Sequence, residues 1–150
     1  MTEVATLSGE LAATRAELLA ALDALPAERR ATPIMEGWSA RDLVWHVAFW
    51  TEHGANAIDL VRDGRPEAFD YSTAQTDAMN AAEADRGRDA TLEQALAREA
   101  AAYARFAAAL ENLDAATLAT RLGNGDTLAD VIRYDGPDHY AEHAAHLRAG

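Results

Sequence analysis

The segment DGPDHYAEHAAHL, from Asp135 to Leu147, gathers His139, His143 and His146, three of the five histidines in a 150-residue chain. Their spacing is that of one helical face. Residues i and i+4 lie one above the other on a helix, about 6 Å apart at Cβ, so His139 and His143 can aim their imidazoles at a single point. Zinc and similar ions accept such nitrogens at about 2.0–2.1 Å. A catalytic site typically takes three protein ligands and leaves a position for water or substrate. The third ligand must come from another helix, and His46 in LVWHVAFW is the candidate. It sits on an otherwise apolar stripe, where an unpartnered polar group costs about 1–3 kcal/mol once buried. A cation would satisfy it, and so would a hydrogen bond to a backbone carbonyl.

A metal-bound imidazole usually donates its other N–H to a further acceptor. Asp42, one turn before His46, and Asp135, one turn before His139, are placed to serve, although Asp42 has a competing role at a helix start and Asp135 could be plain surface. Glu142 beside His143 reads as a solvated helix charge. His53 and His146 read as surface or helix-end positions, where a charged imidazole is favourable near a C-terminus.

The elements that must position these groups are helices. No segment alternates as a half-buried strand does, and the apolar period is helical throughout. Thr6 or Ser8 can cap a first helix to about Asp23, broken by Pro26 and ATPIMEG. Ser39 with Asp42 forms a variant capping box, with Trp38 as staple, for a second helix from Ala40 to about Arg62. Ser72 to Arg86 reads as a short, polar, weakly packed helix. Thr91 opens a strong helix to about Asn112, with Leu92, Leu96, Tyr103, Phe106 and Leu110 as core candidates. A short turn of helix lies near 115–119, RLGNGD is a loop, and the last helix starts near Thr127. The expectation is an all-α four-helix bundle, one domain over 1–150, whose long 63–90 crossover lets the second and third long helices run parallel. Gly136 and Pro137 sit just before the first terminal histidine, so the last helix must either kink there or stop near Tyr134 and restart. A kink would re-aim His139.

Composition removes several function classes. There is no cysteine, so the chain can form no disulfide, thiolate ligand or thiol nucleophile of its own. The formal charge is −12, and every basic residue is arginine, with no basic stripe, which speaks against nucleic-acid binding. No stretch approaches the ~20 apolar residues of a membrane span, and MTEVATLSGE is too polar for a signal peptide, so a cytoplasmic home is expected. A homodimer is expected only in the sense that symmetric dimers are common.

EGWSARDLVWHVAFW, followed about ninety residues later by DHYAEHAAHLR, resembles the DinB-like superfamily of metal-binding four-helix bundles. It is also similar to proteins with a maleylpyruvate-isomerase-type N-terminal domain. The resemblance covers nearly the whole chain. It implies that His46, His139 and His143 ligate a divalent metal, zinc ahead of nickel or iron. The mycothiol-dependent isomerase branch has a glutamate where this chain has His139, and the three-histidine set fits the thiol-transferase branch better. Such an ion can lower the pKa of a bound thiol, giving transfer or isomerisation with a low-molecular-weight thiol such as mycothiol, or activate water for hydrolysis. Asp135 and Trp50 are then the expected catalytic-site residues. Arg41 and Arg133 are candidates for holding a carboxylate of the thiol cofactor. The competing reading is a non-catalytic protein that binds or sequesters a small molecule. A closed, four-coordinate structural metal is a third.

Overall fold

The computed structural model describes residues 2–150. Seven α-helices follow one another among the described residues: α1 Glu3–Ala24, α2 Ala40–Arg62, α3 Thr73–Arg86, α4 Leu92–Glu111, α5 Ala115–Leu118, α6 Leu128–Arg133 and α7 His139–Ala149. A π-helical turn, Tyr134–Asp138, joins α6 to α7, so the two form one bent helix. The four long rods of the bundle are therefore α1, α2, α4 and α6–α7. No helix is long and apolar enough to cross a membrane.

Side-chain caps set most of the boundaries. Ser39, Ser72, Thr91 and Thr127 each close a reciprocal capping box, with Asp42, Gln75, Gln94 and Asp130 respectively. α1 begins earlier than the expected Thr6 or Ser8. Thr2 accepts the Ala5 N–H at 3.1 Å, while the Thr6 hydroxyl bonds back to the Thr2 carbonyl and cannot cap.

Cross-helix pairs fix the topology. Glu52 meets Arg98, Asp59 meets Arg105 and Arg62 reaches the Ala109 carbonyl, so α2 and α4 run parallel. Arg15 meets Glu99 while Leu11 and Phe106 meet at Gly136, so α1 runs antiparallel to α4, and Glu10 meets Arg133 at the matching end of the last rod. The 63–90 crossover carries α3 across the bundle. Leu7, Leu11 and Leu18 of α1, Leu43, Val47 and Ile58 of α2, Phe106 and Leu110 of α4, and Tyr140 and Leu147 of α7 fill the core. Leu92, Leu96 and Tyr103 only border it.

Two features tie this core to the histidines. Glu99 is wholly buried; it takes a forked pair of hydrogen bonds from Arg15 and another from the Tyr140 hydroxyl, locking α1, α4 and α7 together one residue from His139. Gly54 lets Phe106 and Asp135 approach α2, because a Cβ there would lie 2.3 Å from the Phe106 ring and 3.1 Å from Asp135 Cβ.

As its polar sequence implies, α3 packs lightly and buries only Glu83, but polar contacts anchor it. The Trp45 indole N–H donates to the Glu83 carbonyl at 3.1 Å, and Arg98 bridges Glu52 and Glu83 while stacking on Trp45. Of the two expected outcomes at Gly136–Pro137, the helix kinks. Proline has no N–H, and its ring would strike the carbonyl four residues back; a widened turn admits the extra residue. Gly136 is the residue that leaves helical geometry there, at φ −106°, ψ −106°.

Candidate metal centre

α2 presents His46 from its second turn, and α7 presents His139 and His143 one turn apart. Packing of the two antiparallel segments brings the three rings together. His139 Nε2 lies 3.0 Å from His46 Nε2 and 3.0 Å from His143 Nε2. Ring centroids are 4.8, 5.0 and 4.5 Å apart for the 46–139, 46–143 and 139–143 pairs. The kink has thus turned His139 toward the other two.

Three inward Nε2 atoms cannot satisfy one another. His139 Nε2 can donate a single proton, to one neighbour, and in that tautomer its buried Nδ1 is left bare; the structure gives that Nδ1 no partner. A central cation would satisfy all three lone pairs. Bonds of about 2.0–2.1 Å at tetrahedral angles require nitrogens about 3.3 Å apart, close to the spacing observed. The donor set therefore fits a borderline divalent ion such as zinc.

Burial keeps the set neutral. It lowers the pKa of His46 to about 4 and, with help from His46 and His146, that of His143 to about 3. His139 is held well below its usual value by burial and by both partners. The ligating form is therefore already present at neutral pH. The same shifts predict acid sensitivity of the chelator-treated protein. Unfolded histidines take up protons near pH 6.5, whereas the folded ones resist until about pH 4 or lower, so stability is full above that unfolded value and declines as pH falls below it. The urea midpoint should drop between pH 7 and pH 5, and the drop should shrink in a His46→Gln/His143→Gln double variant. Equal slopes in the two proteins would refute this.

Other histidines and acids lie differently from expectation. His146 is not a free helix-end residue: its Nδ1 is 3.1 Å from His143 Nδ1. With the proton on His143 Nδ1 and accepted by His146 Nδ1, the His143 Nε2 lone pair faces the cluster, the outer support that metal-bound imidazoles use. Asp42 stays in the helix cap and pairs with Arg41, not with His46. Asp135 does not reach His139; its carboxylate lies 2.9 Å from Nδ1 of His53, which is buried and not on the surface. Burial raises the Asp135 carboxyl above its usual range, against the opposing pull of His53.

A cavity of about 280 Å³ opens onto His46, with Trp38, Arg41, Trp45, Asn80 and Arg88 in its wall. Trp38 packs its ring 4.7 Å from that of His46. It is delivered by a tight turn in which Glu36 and Gly37 both take positive φ, 46° and 82°. Trp50, expected to line the site, is turned away. Its indole N–H donates to Asn80 at 2.6 Å, and its ring lines a different cavity. Arg41 is in the wall, but its guanidinium is already bonded to Asp42 and to the Arg88 and Ala90 carbonyls. Arg133 pairs with Glu10 of α1 and is not part of this wall. The sequence marks Trp38 only as a helix staple, and nothing in it singles out Asn80 or Arg88, which reach the cavity through the docking of α3.

Residues 7–148 match the family described as mycothiol maleylpyruvate isomerase N-terminal domain. The chain is also similar in fold to an uncharacterised protein from Escherichia coli UTI89 solved by crystallography. The TM-score is 0.83 at 19% sequence identity, with 99% of this chain and 92% of that chain covered. None of the curated proteins compared with the chain matches it.

Proposed function

Because the chain belongs to the mycothiol maleylpyruvate isomerase N-terminal domain family, we propose that it is a metal-dependent enzyme acting on a small molecule. The favoured reaction is thiol-dependent transfer or isomerisation, with hydrolysis as the variant that uses water. The observation that carries this reading is the convergence of three imidazoles, one buried and two half-buried, on one point beside an open cavity. A structural ion would be closed off by a fourth protein ligand, and His46 instead faces the cavity. A sequestering protein would have little use for the triad.

His46, His139 and His143 would hold the ion, zinc ahead of nickel or iron. Bound there, it would supply Lewis acidity that favours the ionised form of a thiol or of water at neutral pH. The chain has no cysteine, so the thiol must arrive as a co-substrate, for which mycothiol is the family's example. Trp38 and Trp45 flank His46 and would exclude water from the reacting group while packing on the apolar part of the substrate. Arg88 has a largely exposed guanidinium at the rim, paired only with the equally exposed Asp85, and would turn to a substrate carboxylate more readily than Arg41, which is held by Asp42 and two carbonyls. His146 would accept the His143 Nδ1–H, which keeps the His143 Nε2 lone pair turned toward the ion. A cytoplasmic setting, where low-molecular-weight thiols stay reduced, suits this chemistry.

The test is conjugation of a low-molecular-weight thiol to a panel of electrophiles, with an ester panel beside it. Zinc-loaded protein should raise one of these rates above background, and chelated protein should not. A loaded protein inactive on both panels would count against catalysis.

A further inference from the structure

His53 lies two turns beyond His46 on α2, about 10 Å along the axis, and does not belong to the triad. Its ring is 7% exposed. Nδ1 is engaged by Asp135 at 2.9 Å, while Nε2 is buried with no hydrogen-bond partner. The ring is surrounded by aromatics: Trp50, Phe69 and Tyr71 have centroids 4.6, 4.7 and 5.0 Å from that of the imidazole. All of these residues line a cavity of about 220 Å³ between α2, the crossover and the kink. Tyr134 at its margin is 56% exposed, the one large hydrophobic side chain so exposed among the described residues. Ser72 and Thr76 add hydroxyls to the wall.

A polar atom in this position is costly unless something meets it. With Nδ1–H donated to the Asp135 carboxylate, Nε2 keeps a lone pair and acts as an acceptor, and the surrounding rings favour a flat apolar body. We propose that this cavity is a second small-molecule site, separate from the metal centre, for a planar aromatic ligand whose hydroxyl donates to His53 Nε2. Trp50 is the partition between the two cavities, since its ring lines this one while its N–H holds Asn80 in the wall of the other. Asp135 is a positioning residue here: it fixes the tautomer that makes Nε2 an acceptor. The widened turn supplies it, because the kink carries Asp135 against α2 at Gly54.

Phenol and toluene, which differ by the hydroxyl, are the probes, titrated into the full chain by calorimetry and saturation-transfer NMR, with zinc and again after chelation. Phenol should bind at least fivefold more tightly than toluene, equally well with and without metal. In His53→Phe the two should bind within twofold of each other, with zinc content unchanged. Asp135→Asn, whose amide can donate to Nδ1 and turn Nε2 into a donor, should narrow the preference without abolishing it, because a phenol oxygen can still accept, though less well than its O–H donates. Absence of binding, equal binding of the two probes to the wild-type protein, a preference that survives in His53→Phe, or phenol binding lost on chelation would each overturn the proposal. The wild-type comparison decides it even if His53→Phe fails to fold. Because zinc content is read in parallel, failure of this site leaves the metal reading standing, and the reverse.

Discussion

His143→Ala should abolish stoichiometric metal binding. His143 is 4% exposed and sits between His139 and His146, so its removal deletes a ligand and also strands the group that orients it. Loss of an outer partner of a metal ligand already costs about 10–100-fold in affinity, and loss of a ligand itself should cost more. Elemental analysis of untagged protein purified without chelator should give one divalent ion per wild-type chain and a small fraction of that in His143→Ala. His46→Ala should behave alike, although its ligand comes from a different helix. The thermal response provides a second reading. An ion bound only by the folded state adds about 4 kcal/mol when its free concentration is about a thousand times Kd. Added zinc should therefore raise the wild-type Tm and leave both variants almost unmoved. The metal-free variants should remain folded, because neither histidine belongs to the buried apolar cluster that fills the core. Full occupancy in both variants would place any ion elsewhere.

The second large effect is expected at Glu99. Its carboxylate is wholly buried and accepts from Arg15 and from the Tyr140 hydroxyl. Glu99→Ala leaves a guanidinium that is 23% exposed and a buried phenol without their shared acceptor. Breaking a buried pair on one side costs about 3–5 kcal/mol. Partial solvent access to Arg15, which also stacks on Tyr103 at 4.3 Å, favours the lower end of that range. Urea unfolding should show the loss. An Arg15→Met/Glu99→Leu pair should recover most of it, because removing both charges removes the desolvation penalty with them. Tyr140 follows His139 in sequence, so Glu99→Ala should also weaken zinc binding while leaving all three ligands in place. A cost below about 1 kcal/mol would show that this pair is no more than a surface-like contact.

The kink shows how local and distant information divide. Pro137 announces that the helix cannot continue undisturbed, but proline chemistry is equally met by a break or by a widened turn. The choice depends on what surrounds Gly136. A Cβ there would crowd Phe106 and Leu11 at 3.2 and 3.3 Å, so the turn widens in a slot that α1 and α4 form around it. The same event removes Asp135 from His139 and gives it to His53.

The sequence by itself determined what depends on neighbours within a turn or two. Ser39 with Asp42 and Thr91 with Gln94 mark helix starts because their bonds span three residues. His139 and His143 share a face because a helix repeats every 3.6 residues. The parallel run of α2 and α4 followed from the length of the crossover. Only the tertiary structure decided which partner the distant polar groups found: Asp135 for His53, Asn80 for Trp50. It also decided that Trp38, not Trp50, lies against His46. Such pairings join positions on different helices or across a bent one. They depend on rotation and offset between packed rods, which the summed fit of many core side chains sets and which no short stretch of chain encodes.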